Sequence, residues 1–318
     1  EDEMNPSEPT TTSDLSATSR AQRTIVVGVD HSDASRSALE WALQFAGTDD
    51  RIVAAYVWDL PVVVHYDITS VVDAEEVGMA ARSGLAGILG AIDDDRMCPI
   101  VRQGHPGREL IAVAAEEGAD LLVVGPAGHG RISMMLGSTA SYLLHHAPKP
   151  VVVFRGEVVA APRTVLVGVD DHVDVRCYRD EAGGDRGGDD GRANESVGAL
   201  RWAYGIPGVE RIDVVHSWQL PPIVMGTFAI AIEIEPLEAA AFELVDRVIA
   251  AAGPAPDGVE VRRLTTRGSP GYALVDESRH ADLVVVGSRG HGGFAGVLLG
   301  STSATVATHA HAPVVVVR

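Results

Sequence analysis

Positive charge is what this sequence has least of. Its 318 residues carry 25 Lys and Arg against 44 Asp and Glu, a net charge of −19. Affinity for nucleic acid comes mainly from clustered cations that replace phosphate counterions, so a nucleic-acid partner is not expected. The same balance disfavours docking on an anionic membrane surface. Cysteine is almost missing: Cys98 and Cys177 cannot build a disulfide framework. With no signal-like start, that points to a reducing cytoplasm. No apolar run approaches the ~18 residues a transmembrane helix needs. Aromatics make up only 5% of the chain, so any core must be built from Val, Ala, Leu and Ile. What is present is ample apolar content, 46% hydrophobic, enough for packed domains. At about 150 residues per domain, two domains are expected.

Residues 1–22 are rich in Ser, Thr, Pro and acids and read as a disordered tail. Beyond them the sequence repeats. TIVVGVD at 24–30 returns as TVLVGVD at 164–170, and ALEWA at 38–42 as ALRWA at 199–203. ADLLVVGPAGHG at 119–130 returns as ADLVVVGSRGHG at 281–292, and LGST at 136–139 recurs at 299–302. Blocks in matched order over so long a period mean a duplicated whole domain rather than a solenoid repeat. The two domains run over 23–156 and 162–318. The distance between matching blocks jumps after Asp170, which places an insertion at 171–194; its Gly, Asp and Arg content reads as a flexible loop.

Within each copy, Val-rich runs alternate with amphipathic stretches. In the first copy, strands are predicted at Thr24–Asp30, Arg51–Trp58, Ile100–Gln103, Leu121–Gly125 and Pro150–Phe154. Helices are predicted at Ser35–Phe45, Asp73–Ile92, Pro106–Glu117 and Ser138–His146. Alternation with right-handed crossovers gives a five-stranded parallel α/β sheet covered on both faces. The closing strands, Pro150–Phe154 and Pro313–Val317, are Val-rich, and where such a strand ends a sheet its open edge is normally covered. The two copies are therefore expected to pair through these strands about a pseudo-twofold axis, burying Val315 and Val317. A homodimer of the whole chain is a further option.

Ligands of such sheets bind beyond the carboxyl ends of the strands. Three places stand out there. The first is the end of strand one, Gly28-Val29-Asp30-His31-Ser32 and Gly168-Val169-Asp170, whose carboxylate suits a ribose hydroxyl or a metal, or else caps the next helix. The second is the fourth strand and its glycine loop, Gly287-Ser288-Arg289-Gly290 followed by Gly300-Ser301-Thr302. Glycines and a helix start there bring backbone N–H groups to phosphate, unless the loop is only a flexible surface turn. The third is Gly104-His105-Pro106 and Gly268-Ser269-Pro270, either a pocket wall or a tight turn into a Pro-started helix. A P-loop, a first-strand dinucleotide fingerprint and a G-x-S-x-G elbow are all missing. His145, His146, His309 and His311 sit near helix ends, where imidazoles commonly satisfy carbonyls.

This motif set resembles the universal stress protein family: a strand-one V-G-V-D, then G-x2-G-x9-G-[ST], then a closing P-V-V-V strand. The likeness covers about residues 23–155 and 163–318, and resembles the tandem-domain members of actinobacteria. It implies two flavodoxin-like (Rossmann-like) domains of strand order 3-2-1-4-5. It also implies ATP at the motif loops, often with a divalent metal such as Mg or Mn. Carried over, the second copy matches fully: Asp170 on the ribose or metal side, with Gly287, Gly290, Gly300, Ser301 and Thr302 around ribose and phosphates. Ser217, Gly268 and the strand-end Val286 complete that set. The matching positions of the first copy are Asp30, Val57, Gly104, Val124, Gly125, Gly128, Gly137, Ser138 and Thr139. There Gly128 and Gly137 are eight residues apart rather than nine, and Pro126 removes an N–H. The first copy's cradle is thus expected to be the poorer one. The insertion, through Arg176 or Arg179, stands at the mouth of the second.

The resulting reading is a cytoplasmic, ATP-binding stress-response regulator rather than a metabolic enzyme. The alternatives are a slow ATPase or nucleotidyl-transfer enzyme of the same fold, and a nucleotide-free scaffold.

Overall fold

The computed structural model describes residues 22–59, 74–126 without 91 and 93, 135–158, 161–170, 190–219, 234–289 and 299–318. The predicted tail up to 21, the insertion at 171–189 with Arg176 and Arg179, and the loop glycines Gly128 and Gly290 lie outside the described residues.

The first copy runs β1 (Thr24–Val29), α1 (Asp33–Phe45), β2 (Arg51–Trp58), α2 (Ala74–Leu89), β3 (Met97–Gln103), α3 (Pro106–Glu116), β4 (Leu121–Val124), α4 (Ser138–His146) and β5 (Val151–Val153). The second repeats the order: β6 (Thr164–Gly168), α5 (Asp190–Tyr204), β7 (Arg211–Trp218), α6 (Glu235–Ala252), β8 (Glu260–Arg267), α7 (Pro270–Glu277), β9 (Leu283–Gly287), α8 (Ser301–His309) and β10 (Val314–Val317). Two boundaries differ from the sequence reading. The insertion read as loop through 194 ends earlier, because α5 already begins at Asp190. Extending an existing helix backwards is far cheaper than nucleating one, and 192–194 hold no breaker. The strand β3 starts three residues early despite Pro99. It is an edge strand, where a missing N–H is tolerated.

The strands form one sheet in the order β3-β2-β1-β4-β5-β10-β9-β6-β7-β8. Each half has the order 3-2-1-4-5 with parallel neighbours. The halves meet where β5 and β10 pair antiparallel, Val152 opposite Val315. Both closing strands are fully buried, so the all-Val edges cover one another. The outer edges are β3 with its Pro99, and β8 with Glu260, Arg262 and Arg263, which discourage further pairing.

Alternation within the strands fills two cores. Ile25, Val27 and Val29 face the layer of α1, α2, α5 and α6, while Val26 faces α3, α4, α7 and α8. Both layers run across the junction; Phe45 of the first copy stacks on Trp202 of the second at 6.3 Å. Pseudo-symmetry thus places the carboxyl ends of β1 and β4, and of β6 and β9, beside equivalent helix starts. No helix among the described residues is long and apolar enough to cross a membrane.

Candidate functional site

The end of strand one carries the same backbone-to-serine exchange in both copies. The Asp30 N–H donates to Ser35 Oγ at 3.0 Å, and that hydroxyl donates to the Asp30 carbonyl at 2.8 Å. Asp170 and Ser196 repeat the exchange at 3.0 and 2.6 Å. The cap of α1 is Ser32, whose Oγ accepts from the Ser35 N–H at 3.1 Å. Asp30 therefore does not cap the helix. Its Oδ1 accepts from the Ser32 N–H at 2.9 Å and from the Ser32 hydroxyl, which holds the carboxylate on the cavity wall. Burial pushes the neighbouring Tyr56 phenol up, and the Asp30 charge adds to the effect.

The strand-one glycine has a packing reason. A Cβ on Gly28 would stand 2.8 Å from Leu110 Cδ1, and one on Gly168 2.6 Å from Leu274 Cδ1. A larger residue would expel the leucine that forms the pocket floor.

The glycine loop is pinched at its base in both copies. The Gly137 N–H donates to the Pro126 carbonyl at 2.6 Å, and the Gly300 N–H to the Ser288 carbonyl at 2.7 Å. The residue missing from the first copy lies in sequence between the pinned ends, and the helix start is held alike. Nor does Pro126 impair the pocket. The N–H that it lacks is, in the second copy, the Ser288 N–H, which goes to the Val317 carbonyl at 2.7 Å. The lost donor faces the neighbouring strand, not the cavity. Gly137 and Gly300 are also the N-caps of α4 and α8, with no side-chain cap bond. Among caps this leaves the first-turn N–H groups to the cavity or to an anion.

A cavity of about 240 Å³ fills the first site, and about 40 Å³ the second. The structure brings Asp30, Val57, Val124, Gly125, Gly137, Ser138 and Thr139 together around the first. Asp170, Ser217, Val286, Gly287 and Thr302 surround the second. Gly104 and Gly268 do not line either cavity. With φ of +139° and +152° they close the turn instead, donating to the Trp58 and Trp218 carbonyls. The Gly268 carbonyl also accepts from the buried Ser217 hydroxyl at 2.8 Å. Gly300 and Ser301 stand at the helix start without lining the small second cavity. The better sequence match therefore has the smaller opening.

Sequence reasoning passed over several contributors. Ser35 and Ser196 were visible as a repeated serine, each three positions before the matching ALEWA and ALRWA blocks. Leu110 lines the first cavity and Leu274 the second, one turn on from Pro106 and Pro270, which the sequence had offered as a pocket wall and which line the cavities with them. An ion pair was missed as well: Arg289 Nε meets Glu195 Oε1 at 3.0 Å. The signal was a double exchange between copies, Ala34 for Glu195 and Ala127 for Arg289. Of the histidines, His145 Nδ1 lies 2.7 Å from the Ser141 carbonyl one turn back, as expected of a helix-end imidazole. Among the described residues no three His, Cys, Asp or Glu side chains are grouped to hold a metal.

The profile of the Universal stress protein family matches residues 22–155 and again 190–318. The chain belongs to the universal stress protein family. A universal stress protein of Mycolicibacterium smegmatis is 33% identical over 313 residues, covering 92% of this chain and 96% of that one. One from Mycobacterium tuberculosis is 30% identical over 320 residues, covering 94% and 98%. Both relatives are matched over nearly their whole length, so the tandem arrangement is shared. The fold is that of the crystal structure of a universal stress protein from Archaeoglobus fulgidus, with a TM-score of 0.61 at 22% identity over 93% of this chain and 96% of that one.

Proposed function

We propose that this universal stress protein binds an adenine nucleotide, ATP foremost, and acts as a cytoplasmic nucleotide-dependent stress-response regulator. The functional units are the two copies, 23–156 and 162–318. One observation carries the reading. In the first copy, the start of α4 at Ser138 and Thr139, without a side-chain cap, faces the same cavity as the Asp30 carboxylate at the switch point between β1 and β4. Helix N–H donors suit phosphates, and a carboxylate suits ribose hydroxyls. The adenine would lie toward Val57 and Leu110, the apolar side. Where Mg or Mn accompanies the phosphates, Asp30 or Asp170 would hold it, through water or directly. Ligand binding then acts by favouring one of two states that differ in affinity.

Mass spectrometry of small molecules released from purified, heat-denatured protein should find an adenine nucleotide, and calorimetry should give saturable ATP binding. If no nucleotide is released and millimolar ATP gives no heat, the reading is wrong. Phosphate release far below roughly 1–10³ per second supports a regulator; turnover in that range would make the protein an ATPase.

A further inference from the structure

The two copies are not equivalent, and the difference has a chemical cause. In the second copy the Glu195 carboxylate accepts three hydrogen bonds from the first residues of the glycine loop. Its Oε2 accepts from the Arg289 N–H at 2.7 Å and from Ser288 Oγ at 3.2 Å, while Oε1 accepts from Arg289 Nε at 3.0 Å. None of these bonds has a counterpart in the first copy, where Ala34, Pro126 and Ala127 stand at the matching positions. Glu195 also packs beneath the strand end; a Cβ on Gly287 would stand 3.1 Å from Glu195 Cβ. Arg289 lines the second cavity, which is the small one.

We propose that Glu195 is a latch on the second copy's site, holding the Arg289 side chain at the cavity until an anionic ligand draws the guanidinium away. This rests on the nucleotide-binding reading above. The Glu195 side chain is 13% exposed and that of Arg289 61%, so Arg289 is the arm free to swing and Glu195 the fixed post. A phosphate offers the guanidinium the same paired acceptors that a carboxylate does, and so competes for it; an uncharged nucleoside does not. A closed majority lowers apparent affinity by the fraction of molecules that are open. The first copy, with no latch and the larger cavity, fills first. The second responds only at higher nucleotide concentration and only to phosphorylated ligands. The chain thereby reads two concentration ranges with one fold.

The test uses the full chain, with Glu195→Ala installing the residue that the first copy carries at that place, and Glu195→Gln keeping the acceptor without its charge. Hydrogen exchange read by mass spectrometry reports each copy separately, through segments 283–289 and 301–309 for the second and 121–126 and 138–146 for the first. In the ligand-free Glu195→Ala protein, exchange at 288–289 should rise. ATP titration should show the second copy gaining roughly tenfold in affinity, the scale of one charge-assisted hydrogen bond that no longer has to be broken. The first copy should be unchanged and Glu195→Gln intermediate. In the parent, adenosine should protect the first copy and leave the second unprotected. Unchanged exchange at 288–289, or an unchanged or weakened second-copy affinity, overturns the latch. Failure of the nucleotide reading looks different: ATP protects neither copy in parent or variants, while exchange at 288–289 still reports whether Glu195 holds the loop.

Discussion

Arg155 Nε donates to the Ala307 carbonyl at 2.7 Å, joining the end of the first copy to the last helix of the second. The reach is returned: Arg318, closing the second copy, donates from Nη2 to the Leu144 carbonyl of α4 at 2.6 Å. Each arginine therefore serves the carboxyl-terminal turn of the opposite copy's last helix, where a cation is favoured by the helix dipole. Those helices are the ones whose starts form the two candidate phosphate cradles. Burial pushes the Arg155 guanidinium down to about 10, which leaves it charged at neutral pH. Truncation to Arg155→Ala removes this bond and buried stem together. It should cost about 2–3 kcal/mol by urea denaturation. A loss below about 0.5 kcal/mol would show that the clamp contributes nothing.

The junction itself should be fragile to charge. Val152 and Val315 face each other across the antiparallel pair and are both fully buried. Val315→Asp places a carboxylate in the shared core without a partner, a loss of roughly 3 kcal/mol or more. Thermal melting and small-angle scattering should register an unfolded or opened chain. A variant as compact and stable as the parent would refute the pairing of the two halves through these strands.

Acid should weaken the amino-terminal end of the sheet. Burial alone would push the Asp50 carboxyl up, but the Arg23 guanidinium and the N–H groups of Gly47 and Arg23 outweigh it and hold it below its ordinary 3.8. Arg23 Nη2 lies 2.6 Å from Asp50 Oδ2. A carboxylate with a lowered native value stabilises the fold above 3.8 and ceases to do so as pH falls through that lower value. Asp50→Asn should cost about 1–3 kcal/mol at pH 7, and the gap to the parent should shrink below pH 4. An equal gap from pH 7 to pH 3 would contradict this assignment.

Asp30 should matter for ligand and little for fold. Ser32 caps α1, and the Asp30 backbone keeps its exchange with Ser35 whatever the side chain. Asp30→Ala should shift the ligand-free melting temperature by only a few degrees while weakening ATP binding at the first copy several-fold, as read by calorimetry. A large drop in melting temperature with intact binding would make Asp30 structural.

The duplication and the alternation of strand and helix were legible in the sequence, because period, Val-rich runs and motif order are local signals that recur twice; the order of each half-sheet came only with the family resemblance. Pairing of the closing strands was legible too, since an all-Val edge such as Val151–Val153 must be covered. The sequence also supplied the candidate carboxylates and glycines, but ranked the copies by how well each matched a pattern. Only the tertiary structure decided where those residues pack and what they bond to. It gave the Pro126 deficit to a neighbouring strand, assigned Gly104 and Gly268 to a turn, and put the larger cavity in the copy with the poorer match. Glu195 and Arg289, 94 residues apart, differ from the first copy together, but nothing local to either position says that they touch. Their meeting depends on α5 starting beside the end of β9, a distance that folding sets and local sequence does not encode.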